Sequence, residues 1–83
     1  MSYDKVKQAK NISIGAKKVT KMVEQGLALE VFVANDADPR ITIKLVALCK
    51  KTGVPVTAVD SMKLLGKACG IEVGAAVAAV VSE

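Results

Sequence analysis

Leu29-Glu30-Val31-Phe32-Val33-Ala34 runs straight into Asn35-Asp36-Ala37-Asp38-Pro39, so a strand and the start of a helix fall within eleven residues. The first six are β-branched, aromatic and mostly apolar, the composition of a strand buried on both faces. The next five make a turn. Asp38 is placed to cap a helix and Pro39 to take its first position, where the missing N–H removes no helical bond. Asp36 and Asp38 are more simply read as turn and cap than as a catalytic carboxylate pair. Beyond them Ile41, Leu45, Leu48 and Cys49 keep helical spacing until Thr52-Gly53 ends the element.

The same alternation continues in both directions. Toward the C-terminus, Pro55-Val56-Thr57-Ala58-Val59 reads as a strand. Asp60 or Ser61 caps a short helix through Ala68, and Gly70 stops it. The segment from Ala75 to Val81 could be helical on alanine propensity, but its short length, its valines and the preceding Gly74 favour a buried strand. Toward the N-terminus, Ile12-Ser13-Ile14 alternates like a short strand. A helix follows from Gly15 to Gln25, with Ala16, Val19 and Val23 as its apolar stripe and Gly26 as terminator. Tyr3 or Asp4 to about Lys10 reads as one further short helix, with Val6 and Ala9 three apart. Strands and helices exchange about every dozen residues, which predicts an α/β sandwich with helices on both faces of a small, largely buried sheet.

Charge is distributed less evenly than hydrophobicity. The 83 residues carry a net +4, yet residues 1–21 hold six of the twelve basic residues and one of the eight acids, a net +5 that leaves −1 for the rest. Lys17, Lys18 and Lys21 crowd the start of the helix that opens at Gly15, and their i,i+3 and i,i+4 spacing puts them on one face. That placement opposes folding. A helix N-terminus already bears roughly half a positive charge, and its first N–H groups lack helical partners. An anionic partner accounts for the cost, since free N–H groups and converging lysines make a phosphate or nucleic-acid site. The alternative is an ordinary solvated lysine face.

Composition bounds what such a chain can do. One small domain of 83 residues is expected, with a hydrophobic content of 52% that argues for a folded globule. Met1-Ser2-Tyr3-Asp4-Lys5 precedes no apolar signal segment, and Gly74 to Val81 is far shorter than the roughly 20 residues of a membrane span, so a soluble cytoplasmic protein is expected. There is no histidine. Cys49 and Cys69 lack metal or redox spacing and read as reduced, semi-buried fillers. Gly66-Lys67-Ala68 fails as a phosphate loop, because Ser61 and Met62 stand where its first glycine belongs and Ala68 has no hydroxyl for magnesium. No enzyme, cofactor or metal is expected. With only Tyr3 and Phe32 aromatic, nucleic-acid recognition by stacking platforms is excluded as well.

Three blocks carry a resemblance. Ile14-Gly15-Ala16-Lys17-Lys18-Val19-Thr20-Lys21, Val33-Ala34-Asn35-Asp36-Ala37-Asp38-Pro39 and Leu65-Gly66-Lys67-Ala68-Cys69-Gly70-Ile71-Glu72-Val73-Gly74-Ala75-Ala76 are similar to the kink-turn-binding ribosomal proteins of the L-seven-A-e type. The resemblance implies a three-layer α/β/α sandwich around a small four-stranded mixed sheet. It also implies binding to a kink-turn, a sharply bent RNA duplex with tandem sheared G·A pairs beside a short bulge. The RNA contacts it implies are Ile14, Gly15, Ala16, Lys17, Lys18 and Lys21 at the helix start, Asp36 near the same groove, and Ile71, Glu72 and Val73 over the bulge. Lys21 matches the lysine of the family's Asn-Glu-x-x-Lys motif, while Lys17 and Lys18 replace its Asn and Glu. The exchange of Glu for Lys removes an acceptor and adds charge, so greater salt dependence is expected. The expected partner is therefore kink-turn RNA, with the ribosome as one place to meet it, bound by a monomer. The competing readings are a nonspecific basic RNA binder and a protein-interaction module.

Overall fold

Val31 and Val33 face one side of their strand and Phe32 and Ala34 the other, and both sides are covered. A computed structural model describes residues 11–81; the short helix expected from Tyr3 or Asp4 to Lys10 lies outside them. The described elements are β1 (Ile12–Ile14), α1 (Ala16–Glu24), β2 (Ala28–Ala34), α2 (Pro39–Thr52), β3 (Val56–Val59), α3 (Met62–Ala68) and β4 (Val77–Val81). The strand order is β1-β4-β2-β3. β4 pairs antiparallel with both β1 and β2, and β2 pairs parallel with β3, so the sheet is mixed.

The two-residue period of the strands sorts the core into two halves. Val31, Val33, Val77 and Ala79 meet Val19 and Val23 of α1 and Leu45 and Cys49 of α2. On the opposite face Phe32, Ala34, Val59 and Ala78 meet Leu65 of α3, with Ala37 and Ala75 closing the ends. This is the three-layer α/β/α sandwich. Phe32 is the largest fully buried side chain, and a buried aromatic is the main single contribution a core this small can hold. The segment from Ala75 that could have been helical enters the sheet at Val77, and its fully buried Ala78 and Ala79 let helices close on a central strand from both sides.

One expectation needs correction. The run from Leu29 to Ala34 is not buried throughout: Leu29 is 57% exposed. It sits where the β2–β4 register shifts between Ala28 and Glu30, and the irregularity turns its side chain outward. Glu30, on the next position, accepts a 2.7 Å hydrogen bond from the Thr57 hydroxyl of β3.

The register sets one end of the sheet apart. Ile14 pairs with Ala78, Val33 with Val77 and Ala34 with Val59, so β1, β2 and β3 finish where β4 begins. Every described helix follows one of the three finishing strands. All three therefore have their N-termini at that end.

The chain returns to that end by doubling back along α3. The N–H of Ile71 donates to the Gly66 carbonyl at 3.0 Å and that of Ala75 to the Met62 carbonyl at 2.9 Å. Two glycines make the approach possible. A Cβ on Gly66 would collide with the Val73 carbonyl oxygen and lie 3.1 Å from the Gly74 Cα, and a Cβ on Gly74 would meet the Met62 Cβ at 3.2 Å. Gly66→Ala in a helix interior ordinarily stabilises by about 1 kcal/mol. Here urea unfolding is expected to show the opposite sign, a loss of about 1–3 kcal/mol from overpacking; a stabilised variant would show that the loop does not lie against α3.

Candidate nucleic-acid interface

Three helix N-termini meet at one end of the sheet, and two of them are closed by side chains. On α2, Asp38 Oδ1 accepts from the Arg40 N–H at 2.9 Å. On α3, Ser61 Oγ accepts from the Leu64 N–H at 3.2 Å and Asp36 Oδ1 from the Met62 N–H at 2.7 Å. So Ser61 is the cap that the sequence left undecided against Asp60, and Asp36 reaches across from the β2–α2 turn to assist it.

The N-terminus of α1 has no such closure. Its cap position is Gly15, with no side-chain hydrogen bond and no acid in the first turn. The first closed bond runs from the Val19 N–H to the Gly15 carbonyl at 2.9 Å, which leaves the N–H groups of Ala16, Lys17 and Lys18 without helical partners. Glycine is needed here for its backbone. At φ 99° and ψ 144° it occupies a region that other residues enter only under strain, and its own N–H is tied to the Val77 carbonyl at 3.1 Å. The bare helix start is thus fixed to the first residue of β4. Lys17, Lys18 and Lys21 are all exposed, on the side of α1 opposite the buried Val19 and Val23.

The other expected contacts divide by burial. Ile14 and Ile71 are half-buried and pack against the Phe32 side of the core, while Ala16 packs against the opposite half. Glu72 is exposed, and Val73 is 71% exposed at the tip of the doubled-back loop. Val73 thus presents an apolar side chain to solvent on a backbone strapped to α3. Asp36 is exposed with one carboxylate oxygen engaged by Met62. Its reading as a turn and cap residue is therefore correct, and the turn that carries it lies at the same end of the sheet as the start of α1.

Two features escaped the sequence. Gly66 and Gly74 shape the loop, and the available signal was a glycine in mid-helix, which costs about 1 kcal/mol unless packing requires it. Arg40 and Lys44 of α2 line an open groove of about 1,020 Å³ with Lys17 and Lys21 of α1. Their spacing along α2 repeats that of the lysines along α1, but only the packing of the two helices makes the repetition meaningful.

Among the described residues no cluster of three His, Cys, Asp or Glu side chains could hold a metal. Cys49 is buried and Cys69 half-buried, both are free, and burial pushes both thiols up from their usual range. Neither is primed as a nucleophile.

An α/β/α sandwich that leaves one helix start bare, basic and flanked by an exposed apolar loop belongs to the class of small polyanion-binding modules. The chain is a member of the ribosomal protein L7Ae/L30e/S12e/Gadd45 family, whose family model matches residues 2–83. It is 54% identical over 80 residues to the RNA-binding protein YbxF of Geobacillus stearothermophilus, covering 96% of this chain and 98% of that one. It is 52% identical over 80 residues to an RNA-binding protein of Bacillus pumilus, with the same coverage of 96% and 98%. Among solved structures, the Giardia lamblia 15.5kD RNA binding protein superposes with a TM-score of 0.89 at 35% identity, over 99% of this chain and 72% of that one.

The capped start of α2 yields a pH prediction. The Arg40 guanidinium, which donates to both Asp38 oxygens, and the Arg40 N–H hold the Asp38 carboxyl below its usual pKa. A depressed folded-state pKa contributes stability above the unfolded value and loses it as pH falls through the folded one. Asp38→Asn keeps a capping oxygen but removes the charge. It is expected to lower the melting temperature at pH 7, with the gap to wild type closing as the pH drops below the ordinary carboxylate range. A gap that stays constant with pH would show that the Asp38–Arg40 pair adds nothing to stability.

Proposed function

We propose that this chain is a non-enzymatic RNA-binding protein that recognises kink-turns. The observation that carries the reading is the bare N-terminus of α1, the one helix start of the described three that lacks a side-chain cap, with the exposed Lys17 and Lys18 in its first turn. A-form RNA ordinarily hides its major-groove edges, but sheared G·A pairs open the groove and expose guanine edges. The start of α1 enters there. Lys21 donates to guanine O6 and N7, Lys17 and Lys18 and the free N–H groups take phosphates or further guanine edges, and Ile14, Gly15 and Ala16 supply the close apolar floor. Asp36 accepts from a base amino group through its free oxygen while its other oxygen holds α3. Val73 and Ile71 cover the unpaired nucleotides of the bulge, and Glu72 stands beside them. The relatives named as RNA-binding proteins match nearly the whole of this chain, which supports RNA over an acidic protein as partner. On this reading the protein acts as a monomer. The setting is cytoplasmic, on structured RNA such as ribosomal RNA or a riboswitch.

The test is a titration at near-physiological salt against two RNAs, one with a kink-turn and one in which Watson–Crick pairs replace the tandem G·A pairs. A preference of tenfold or more, about 1.4 kcal/mol, is expected; equal affinity would reduce the protein to a basic RNA binder. Lys21→Ala is expected to weaken kink-turn binding by about 1–3 kcal/mol and to erode that preference. A uniform loss on both RNAs would limit Lys21 to a phosphate contact.

A further inference from the structure

The groove between α1 and α2 has a regular arrangement of charge. Lys17 and Lys21 are the second and sixth residues of α1, and Arg40 and Lys44 are the second and sixth of α2. All four line the same groove, and both helices run from the same end of the sheet. The two cations on each helix are four residues apart, about 6 Å along the axis, close to the step between successive phosphates on one nucleic-acid strand. Ile41, Leu45 and Leu48 contribute the apolar floor. Of the two acids lining the groove, Asp38 is paired with Arg40 at 2.9 Å, and Glu24 is the last residue of α1, beyond both lysines. The positive charge therefore concentrates in the half of the groove that adjoins the bare helix start. With Arg40 neutralised by Asp38, Lys44 is the remaining α2 cation that lines the groove, with no ion pair among the described residues.

We propose that this groove carries the phosphate backbone of the RNA stem that continues past the G·A pairs, with Lys44 as a phosphate contact across from Lys21. The inference rests on the kink-turn reading for the shape of the RNA, but its charge logic needs only a nucleic-acid strand. It extends the interface from one helix to two and assigns α2 a direct part in binding. A polyanionic strand fits better than an acidic protein because the groove is continuous with Lys17 and Lys21 of the interface already assigned to RNA.

The experiment compares wild type with Lys44→Ala and Lys44→Gln on the kink-turn RNA, on versions with either flanking stem trimmed back, and on the Watson–Crick control. Lys44 is exposed and both replacements suit a helix, so a circular dichroism melt should show intact folding. The expected result is a three- to tenfold loss of affinity on the full kink-turn RNA. The slope of log K against log salt should fall by about 0.7–0.9, the value of one phosphate contact. The tenfold G·A preference should survive, and the effect of Lys44 should vanish when one particular stem is trimmed. Unchanged affinity and slope would overturn the proposal, as would an equal loss on every RNA whatever its stem length. So would amide resonances of Ile41, Lys44 and Leu48 that ignore RNA yet shift with a glutamate-rich peptide, which would give the groove to a protein partner. If wild type shows no G·A preference while the stem-dependent Lys44 effect persists, the kink-turn reading falls and the groove assignment stands.

Discussion

Everything in this domain depends on covering β2 from both sides. Its side chains alternate, Val31 and Val33 to one face and Phe32 and Ala34 to the other, and all four are buried. A strand buried in this way leaves no face for water, so helices must lie on both sides of the sheet. α1 and α2 cover the valine face and α3 covers the phenylalanine face. The connections then have little freedom. β1, β2 and β3 all end at one margin, each helix starts there, and the loop after α3 must bring the chain back to it before β4 can enter the centre.

The proposed function draws on that crowding of helix starts. Three sets of unpaired N–H groups at one end of a sheet make a strongly electropositive margin. Asp38 neutralises one set, and Ser61 with Asp36 neutralises another. The third is left open at Gly15 and reinforced with lysines. The cost is local instability at the start of α1, and the hydrogen bond from Gly15 to the Val77 carbonyl offsets part of it by tying the turn to the sheet. The bare terminus is thus held in place by the central strand that β2 requires as its neighbour.

Much of this was legible in the residues. The run from Val31 to Ala34, the Asp38-Pro39 cap and the alternation of elements gave the layers, because burial and capping are local and leave marks at fixed spacing. The lysines at 17, 18 and 21 were legible as a conflict between local stability and sequence, and the proposed interface rests on that conflict. What stayed hidden depends on elements meeting in space. Leu29 faces outward because of an irregularity between two strands far apart in the chain. Asp36 serves α3 from the other side of 26 residues. Gly66 looked like a fragment of a phosphate loop, and its true reason, the carbonyl of Val73, is a neighbour that no spacing rule names.

The loop that doubles back along α3 separates two kinds of change. Its path is set by backbone against backbone, at Gly66 and Gly74, where any added atom meets the chain itself. Its outer surface is set by Glu72 and Val73, exposed side chains whose replacement disturbs no packing. The loop therefore behaves as a fixed mount with an interchangeable tip. If the loop covers unpaired nucleotides as proposed, a lineage or a designer can retune which of them are preferred by altering residues 72 and 73 alone, without spending the thin stability of the domain on each new choice.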